Sequence, residues 1–169
     1  MMGKWVKILV ICVCTFSLFL TSCNHHSTGE VSSLDKLNRD TEIIFDALAN
    51  KDTESLKRVF SKTAYKQSKD LDASIEMLFS FFEGDIEKYE FDEFPASDGR
   101  KRGLKRQTQY RRGCDIYTSE YHYEMLLIYY SEDDFEPENV GLYHLKIFKN
   151  GTECGSWQED LVPGILILE

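Results

Sequence analysis

LDASIEMLFSFFEGDIEKYEFDEF, residues 71–94, holds the change of period that decides the fold. Its first half places Leu71, Ile75, Leu78, Phe79 and Phe82 at steps of four, three, one and three, the spacing of one helical stripe. Asp70 or Asp72 stands near the start as a cap, and Gly84 stands just past the end. After Gly84 the apolar and aromatic residues follow a period of two, which suits a pleated strand rather than a helix.

Upstream of this stretch the pattern is helical. Leu34, Leu37, Ile44, Phe45 and Leu48 predict a first helix. Asn50-Lys51-Asp52 breaks it, and Asp52 or Thr53 caps a second, shorter one carrying Leu56, Val59 and Phe60.

Downstream everything reads as strand. The reading places strands over 86–94, 105–118, 121–130 and 140–148, with Ser97-Asp98-Gly99 as a hairpin turn between the first two. The acidic stretch 131–139, with Pro137, is a loop. Asn150-Gly151 is the strongest short turn signal in the chain and predicts that Cys154 onward folds back beside the preceding strand. Ile165-Leu166-Ile167-Leu168 predicts a buried closing strand or extended segment. Three helices followed by strands predict an α+β fold, with N-terminal helices packed on one face of a curved antiparallel sheet.

The first residues read differently. Lys4 and Lys7 precede an apolar run from Ile8 to Leu20, shorter than the about 20 residues that a membrane-spanning helix wants. Leu20-Thr21-Ser22-Cys23 resembles the lipobox of bacterial lipoproteins, which implies a signal peptide over 1–22 and a lipid on Cys23. The alternative is an ordinary signal or an uncleaved anchor in which Cys23 is incidental. Residues 23–33 are polar and read as a tether; His25 and His26 within it lack the further ligands of a metal site. One domain is expected over 34–169.

The 169 residues carry a net charge of −9. Without residues 1–22, which hold two lysines and no acid, 18 basic and 29 acidic residues remain, a net charge of −11. That sign disfavours nucleic acid as a partner. Against it stands a local reversal over 100–112, where Arg100, Lys101, Arg102, Lys105, Arg106, Arg111 and Arg112 occur with no acid among them. The first five form a candidate anion-binding patch for a phosphate-rich polymer, an acidic partner or lipid head groups. The alternative is a solvated hairpin whose cations pair with Glu87, Glu90, Asp92 and Glu93.

Ala47-Leu48-Ala49-Asn50-Lys51-Asp52, leading into Leu56-Lys57-Arg58-Val59-Phe60-Ser61, resembles the start of small domains of the NTF2-like, cystatin-like superfamily. Asp134-Phe135-Glu136-Pro137-Glu138-Asn139-Val140-Gly141-Leu142-Tyr143 resembles a segment of a group of NTF2-like bacterial lipoproteins, the DUF5104 group. The resemblance covers roughly 34–148 and implies a bent sheet wrapped around a helix to enclose a cone-shaped pocket. That pocket would be lined by Phe79, Phe82, Tyr129 and Tyr143. It also implies a Gram-positive envelope and allows a homodimer through the sheet face.

No residue is named catalytic. Asp115, Glu124, His122 and His144 lie in predicted strands near Tyr117, Tyr123 and Tyr143, but alternation places polar residues on solvent faces by default. No nucleophile elbow, phosphate loop or zinc signature is present. Tyr129 and Tyr130, being adjacent, must point to opposite faces. Cys114 and Cys154 permit a disulfide or two buried thiols. The sequence therefore predicts a lipid-anchored extracytoplasmic domain that binds a small molecule or envelope partner, with no cofactor or metal. An acid–base enzyme working in the cone and a structural envelope protein are the alternatives.

Overall fold

The computed structural model describes residues 32–150 and 162–168. Cys23, Cys154, the expected signal segment, most of the expected tether and the turn expected after Asn150 lie outside the described residues.

Four helices come first: α1 (Ser33–Asn50), α2 (Thr53–Val59), α3 (Lys62–Gln67) and α4 (Leu71–Phe81). Ser32 caps α1 in a reciprocal box with Asp35, and Lys51 ends it in the left-handed region at φ 53. Asp52, Ser61 and Asp70 cap the next three, each accepting from a backbone N–H three residues on. The expected stripe on α1 is buried from Leu37 to Leu48, whereas Leu34 is exposed. The sequence predicted three helices; α3 is the addition. It buries only Thr63 and Ala64, so it carries no stripe of large apolar residues to announce it.

The strands are β1 (Ile86–Phe91), β2 (Ala96–Arg102), β3 (Lys105–Thr118), β4 (His122–Asp133), β5 (Gly141–Lys149) and β6 (Gly164–Leu168). They form one mixed, mostly antiparallel sheet in the order β1-β3-β4-β5-β6, and β2 also pairs with β3. β1 and β2 therefore lie end to end along one edge of the fourteen-residue β3. Phe91 sits opposite Cys114, and Ala96 opposite Arg111.

The structure departs from three expectations. Ser97-Asp98-Gly99 is no turn but part of β2, and the chain reverses at Gly103-Leu104 between paired Arg102 and Lys105. Gly103 has φ 63, which glycine supplies without strain at the first position of a two-residue hairpin loop. The sheet is also not wholly antiparallel, because β6 runs parallel to β5 with His144 opposite Gly164 and Phe148 opposite Leu168. Residues 150–163 separate the two strands, long enough for the return crossing that parallel pairing needs. Ile165 to Leu168 are half-buried rather than buried.

The core lies between the helices and one sheet face. Leu37, Ile44 and Phe45 of α1 and Ile75 and Leu78 of α4 meet Ile116, Tyr123, Met125, Leu127, Leu142, Leu145 and Ile147. Each fully buried aliphatic side chain contributes roughly 1.5–3 kcal/mol. The α2–α3 junction closes on the start of β5, where Ser61 N–H donates to the Leu142 carbonyl at 2.8 Å. Gly141 makes that approach possible. Its φ is 118, and a Cβ there would lie 2.9 Å from the Val59 carbonyl oxygen.

Candidate functional site

The β2–β3 hairpin carries Arg100, Lys101, Arg102, Lys105 and Arg106, all exposed, around a tip where Leu104 is 97% exposed. Alternation puts Arg100, Arg102 and Lys105 on one side and Lys101 and Arg106 on the other. None of the five forms a side-chain ion pair with a described acid. The register gives the reason. Glu87 and Glu90 belong to β1, and Glu90 lies opposite Asp115 at the far half of β3, beyond reach of the hairpin tip. Glu90 pairs with Lys88 instead, and Asp92 accepts from Gly113 N–H. Local support comes from Phe135, whose ring lies 4.6 Å from the Arg100 guanidinium and 5.6 Å from the Lys105 ammonium.

The other two cations of the run behave differently. Arg111 pairs with Asp98 at 2.9 Å. Arg112 turns inward, where its Nη2 donates to Asn38 of α1 at 2.8 Å and the Phe91 ring covers it at 5.3 Å. Burial pulls its pKa down, opposed by the nearby Asp92 charge.

Of the four aromatic residues expected to share a pocket, Phe79, Phe82 and Tyr129 belong to one core cluster and Tyr143 does not. Phe79 is buried in the core, and Phe82 packs edge-on against Tyr123 at 5.0 Å. Tyr129 points to the helices and its hydroxyl donates a very short bond to Asp40. Tyr143 points to the other side and meets Tyr130 edge-on at 5.3 Å. Tyr129 and Tyr130 thus do face opposite ways. Burial, and then the Asp40 bond, push the Tyr129 phenol well above its ordinary value.

The polar strand residues form one close pair. His122 Nε2 lies 2.7 Å from Asp115 Oδ1, its ring stacks on Tyr117 at 4.5 Å, and its Nδ1 lies 2.5 Å from Asn150 Nδ2. Both ring nitrogens are therefore engaged. Glu124 is half-buried on the same face, while His144 is buried with Nδ1 2.6 Å from the Val162 carbonyl. Tyr123 is buried, accepting from Glu83 N–H and donating to the Phe81 carbonyl.

Cys114 is a free, buried thiol, and burial raises its pKa to about 12. Among the described residues no group of three His, Cys, Asp or Glu could hold a metal, and no helix is long and apolar enough to cross a membrane.

Two of the concavities between described residues bear on the site. A groove of about 620 Å³ runs between the start of α4 and β6, with Met77 and Val162 exposed at its border. A cleft of about 380 Å³ lies between α1 and the β1–β3 edge, with Arg112 in its wall.

A polar knot, not anticipated from the sequence, holds the β4–β5 connection. Asp133 accepts from Phe135 N–H, Glu136 N–H, Gln107 and Asn139. Burial acts to raise the Asp133 carboxyl, but these bonds outweigh it and hold it below the ordinary range. Residues 43–150 match the family model described as domain of unknown function (DUF5104), and no curated protein matches the chain.

Proposed function

The chain belongs to the DUF5104 family, and from that premise we propose a lipid-tethered, extracytoplasmic binding protein whose NTF2-like domain engages a phosphate-rich anion through its β2–β3 hairpin. The carrying observation is the set of five exposed cations, Arg100, Lys101, Arg102, Lys105 and Arg106, without a described acidic partner in a chain of 29 acids. A cluster of one sign on a projecting ribbon concentrates its field where a polyanion can reach it. With a Debye length of about 8 Å in physiological salt, contact through the exposed tip is what that field can serve. Lipid on Cys23 would keep the hairpin near the envelope, each buried methylene contributing about 0.8 kcal/mol.

Binding is favoured over acid–base catalysis by the state of the one close histidine–carboxylate pair among the described residues. His122 gives one ring nitrogen to Asp115 and the other to Asn150, leaving neither to take a substrate proton.

Two experiments test the reading. Full-length protein in detergent should bind inorganic polyphosphate, and the combined Arg100→Ser, Arg102→Ser, Lys105→Ser variant should lose at least tenfold in affinity. Vesicles containing anionic phospholipid form the second arm, separating head groups from a soluble polyanion as the source of phosphate. No binding in either arm, or equal binding by the variant, removes the proposal. For the tether, radiolabelled palmitate should enter wild type and not Cys23→Ser; equal labelling of both would refute it.

A further inference from the structure

We propose that the cleft between α1 and the β1–β3 edge is a binding site for a small zwitterion of the amino-acid class, its carboxylate held by Arg112 and its ammonium by the acidic rim. This site is separate from the hairpin.

Arg112 carries the argument. It is 5% exposed, yet among the described residues no carboxylate lies within ion-pair distance of it, and the nearby Asp92 acts on it only through its charge. A guanidinium has five N–H donors. Nη2 gives one to Asn38 at 2.8 Å, Nη1 reaches Thr41 only at 3.5 Å, and Nε is buried without a partner. The Phe91 ring, 5.3 Å from the guanidinium carbon, offers these N–H groups no oxygen or nitrogen acceptor. A buried, incompletely bonded cation is costly to retain. A carboxylate in the cleft would accept from the fork in the geometry that guanidinium favours.

The rim selects what accompanies that carboxylate. Glu42 from α1 and Asp92 and Glu93 after β1 line the same cleft, three acids against one cation. Asp92 is fixed there by the 3.0 Å bond from Gly113 N–H. A simple anion would be repelled by this excess, whereas an ammonium on the same molecule would be attracted. The described residues offer no metal-binding group of three, so these acids are not a cation cage of that kind. The cleft's volume of about 380 Å³ admits a molecule the size of an amino acid with accompanying water.

The experiment is calorimetric titration of the full-length protein in detergent with L-lysine, whose carboxylate and two ammonium groups match one arginine and three acids. Sodium acetate and butylamine serve as single-charge controls. L-lysine should bind at least tenfold more tightly than either control. Arg112→Gln should abolish the heat of binding. Should that variant fail to fold, Glu93→Gln, an exposed change that leaves Arg112 in place, should still weaken L-lysine at least threefold while acetate binding is not weakened. Absence of L-lysine binding at 10 mM (roughly a 2.7 kcal/mol interaction by mass action), acetate binding as tightly as L-lysine, or full affinity in Glu93→Gln would each overturn the proposal.

Discussion

Thr63 of α3 donates a 2.7 Å hydrogen bond to the side-chain oxygen of Asn139, 76 residues further along the chain. Asn139 uses its amide on Asp133 and Glu136 as well, so one side chain joins α3 to the β4–β5 connection. Both partners are buried, at 8% and 6% exposure. Asn139→Ala strands the Thr63 hydroxyl and removes a donor from the Asp133 carboxylate. The expected cost is about 2–3 kcal/mol, read as a lower urea midpoint with unchanged slope. Glu138→Ala, which breaks only the exposed 2.6 Å pair with Lys66, should be indistinguishable from wild type.

Asp133 makes acid stability predictable in sign. Its folded carboxyl lies below the ordinary value, since its four hydrogen bonds outweigh burial. A group depressed on folding contributes stability above its unfolded pKa of about 3.9 and loses it as pH falls through the folded value. The stability difference between wild type and Asp133→Asn should therefore be constant above about pH 5 and shrink below about pH 4. Urea unfolding from pH 3 to 7 measures it; a gap independent of pH would contradict the assignment.

Gly141 and Gly103 offer a matched pair of substitutions. At Gly141 the backbone has φ 118 and a Cβ would meet the Val59 carbonyl and Ser61 N–H, both backbone atoms that cannot swing aside. Gly141→Ala should cost about 2 kcal/mol or more, from strain and contact together. At Gly103 nothing lies within 4 Å, so Gly103→Ala pays only for its φ of 63, about 1 kcal/mol. Thermal melts of the two variants should keep that order.

What the sequence revealed follows from which signals are local. The stripe of Leu37, Ile44, Phe45 and Leu48, the caps at Asp52 and Asp70, and the strand from Lys105 to Thr118 all depend on neighbours within a few residues. α3 depends instead on Asn139 and on the approach of Gly141, both distant in the chain. Ser97-Asp98-Gly99 has turn chemistry, yet pairing with β3 holds it extended and Gly103 supplies the reversal. The same limit applies to the site. The cation run was plain in the sequence, but that Arg112 leaves it for Asn38 of α1 required knowing that β3 faces that helix. Period-two alternation separates the faces of a strand without saying what stands opposite each.

Cys114 should behave as a core thiol. With its pKa raised to about 12 by burial, only about one molecule in ten thousand is thiolate at pH 8. Alkylation with iodoacetamide, read by mass spectrometry on the peptide containing Cys114, should be negligible in native buffer and complete in 6 M guanidinium. Ready modification of the native protein would place the sulfur at the surface, against its 5% exposure.

Tyr129 tests the contact between α1 and the sheet from the alkaline side. Its phenol is buried and donates to Asp40, and both effects raise its pKa. A group raised on folding contributes stability below its unfolded pKa, about 10 here, and loses it as pH rises further. Tyr129→Phe keeps the ring and removes the bond, so it should cost about 1–2 kcal/mol near pH 7. That cost should shrink above about pH 10, where wild type must carry a phenol that ionises more readily unfolded than folded. Ultraviolet titration gives an independent readout. Until the protein unfolds, wild type and Tyr129→Phe should show the same gain in phenolate absorbance, because the buried tyrosine stays protonated. A larger native gain in wild type would mean that Tyr129 ionises in the folded state, and the Asp40 bond would no longer account for how α1 is held.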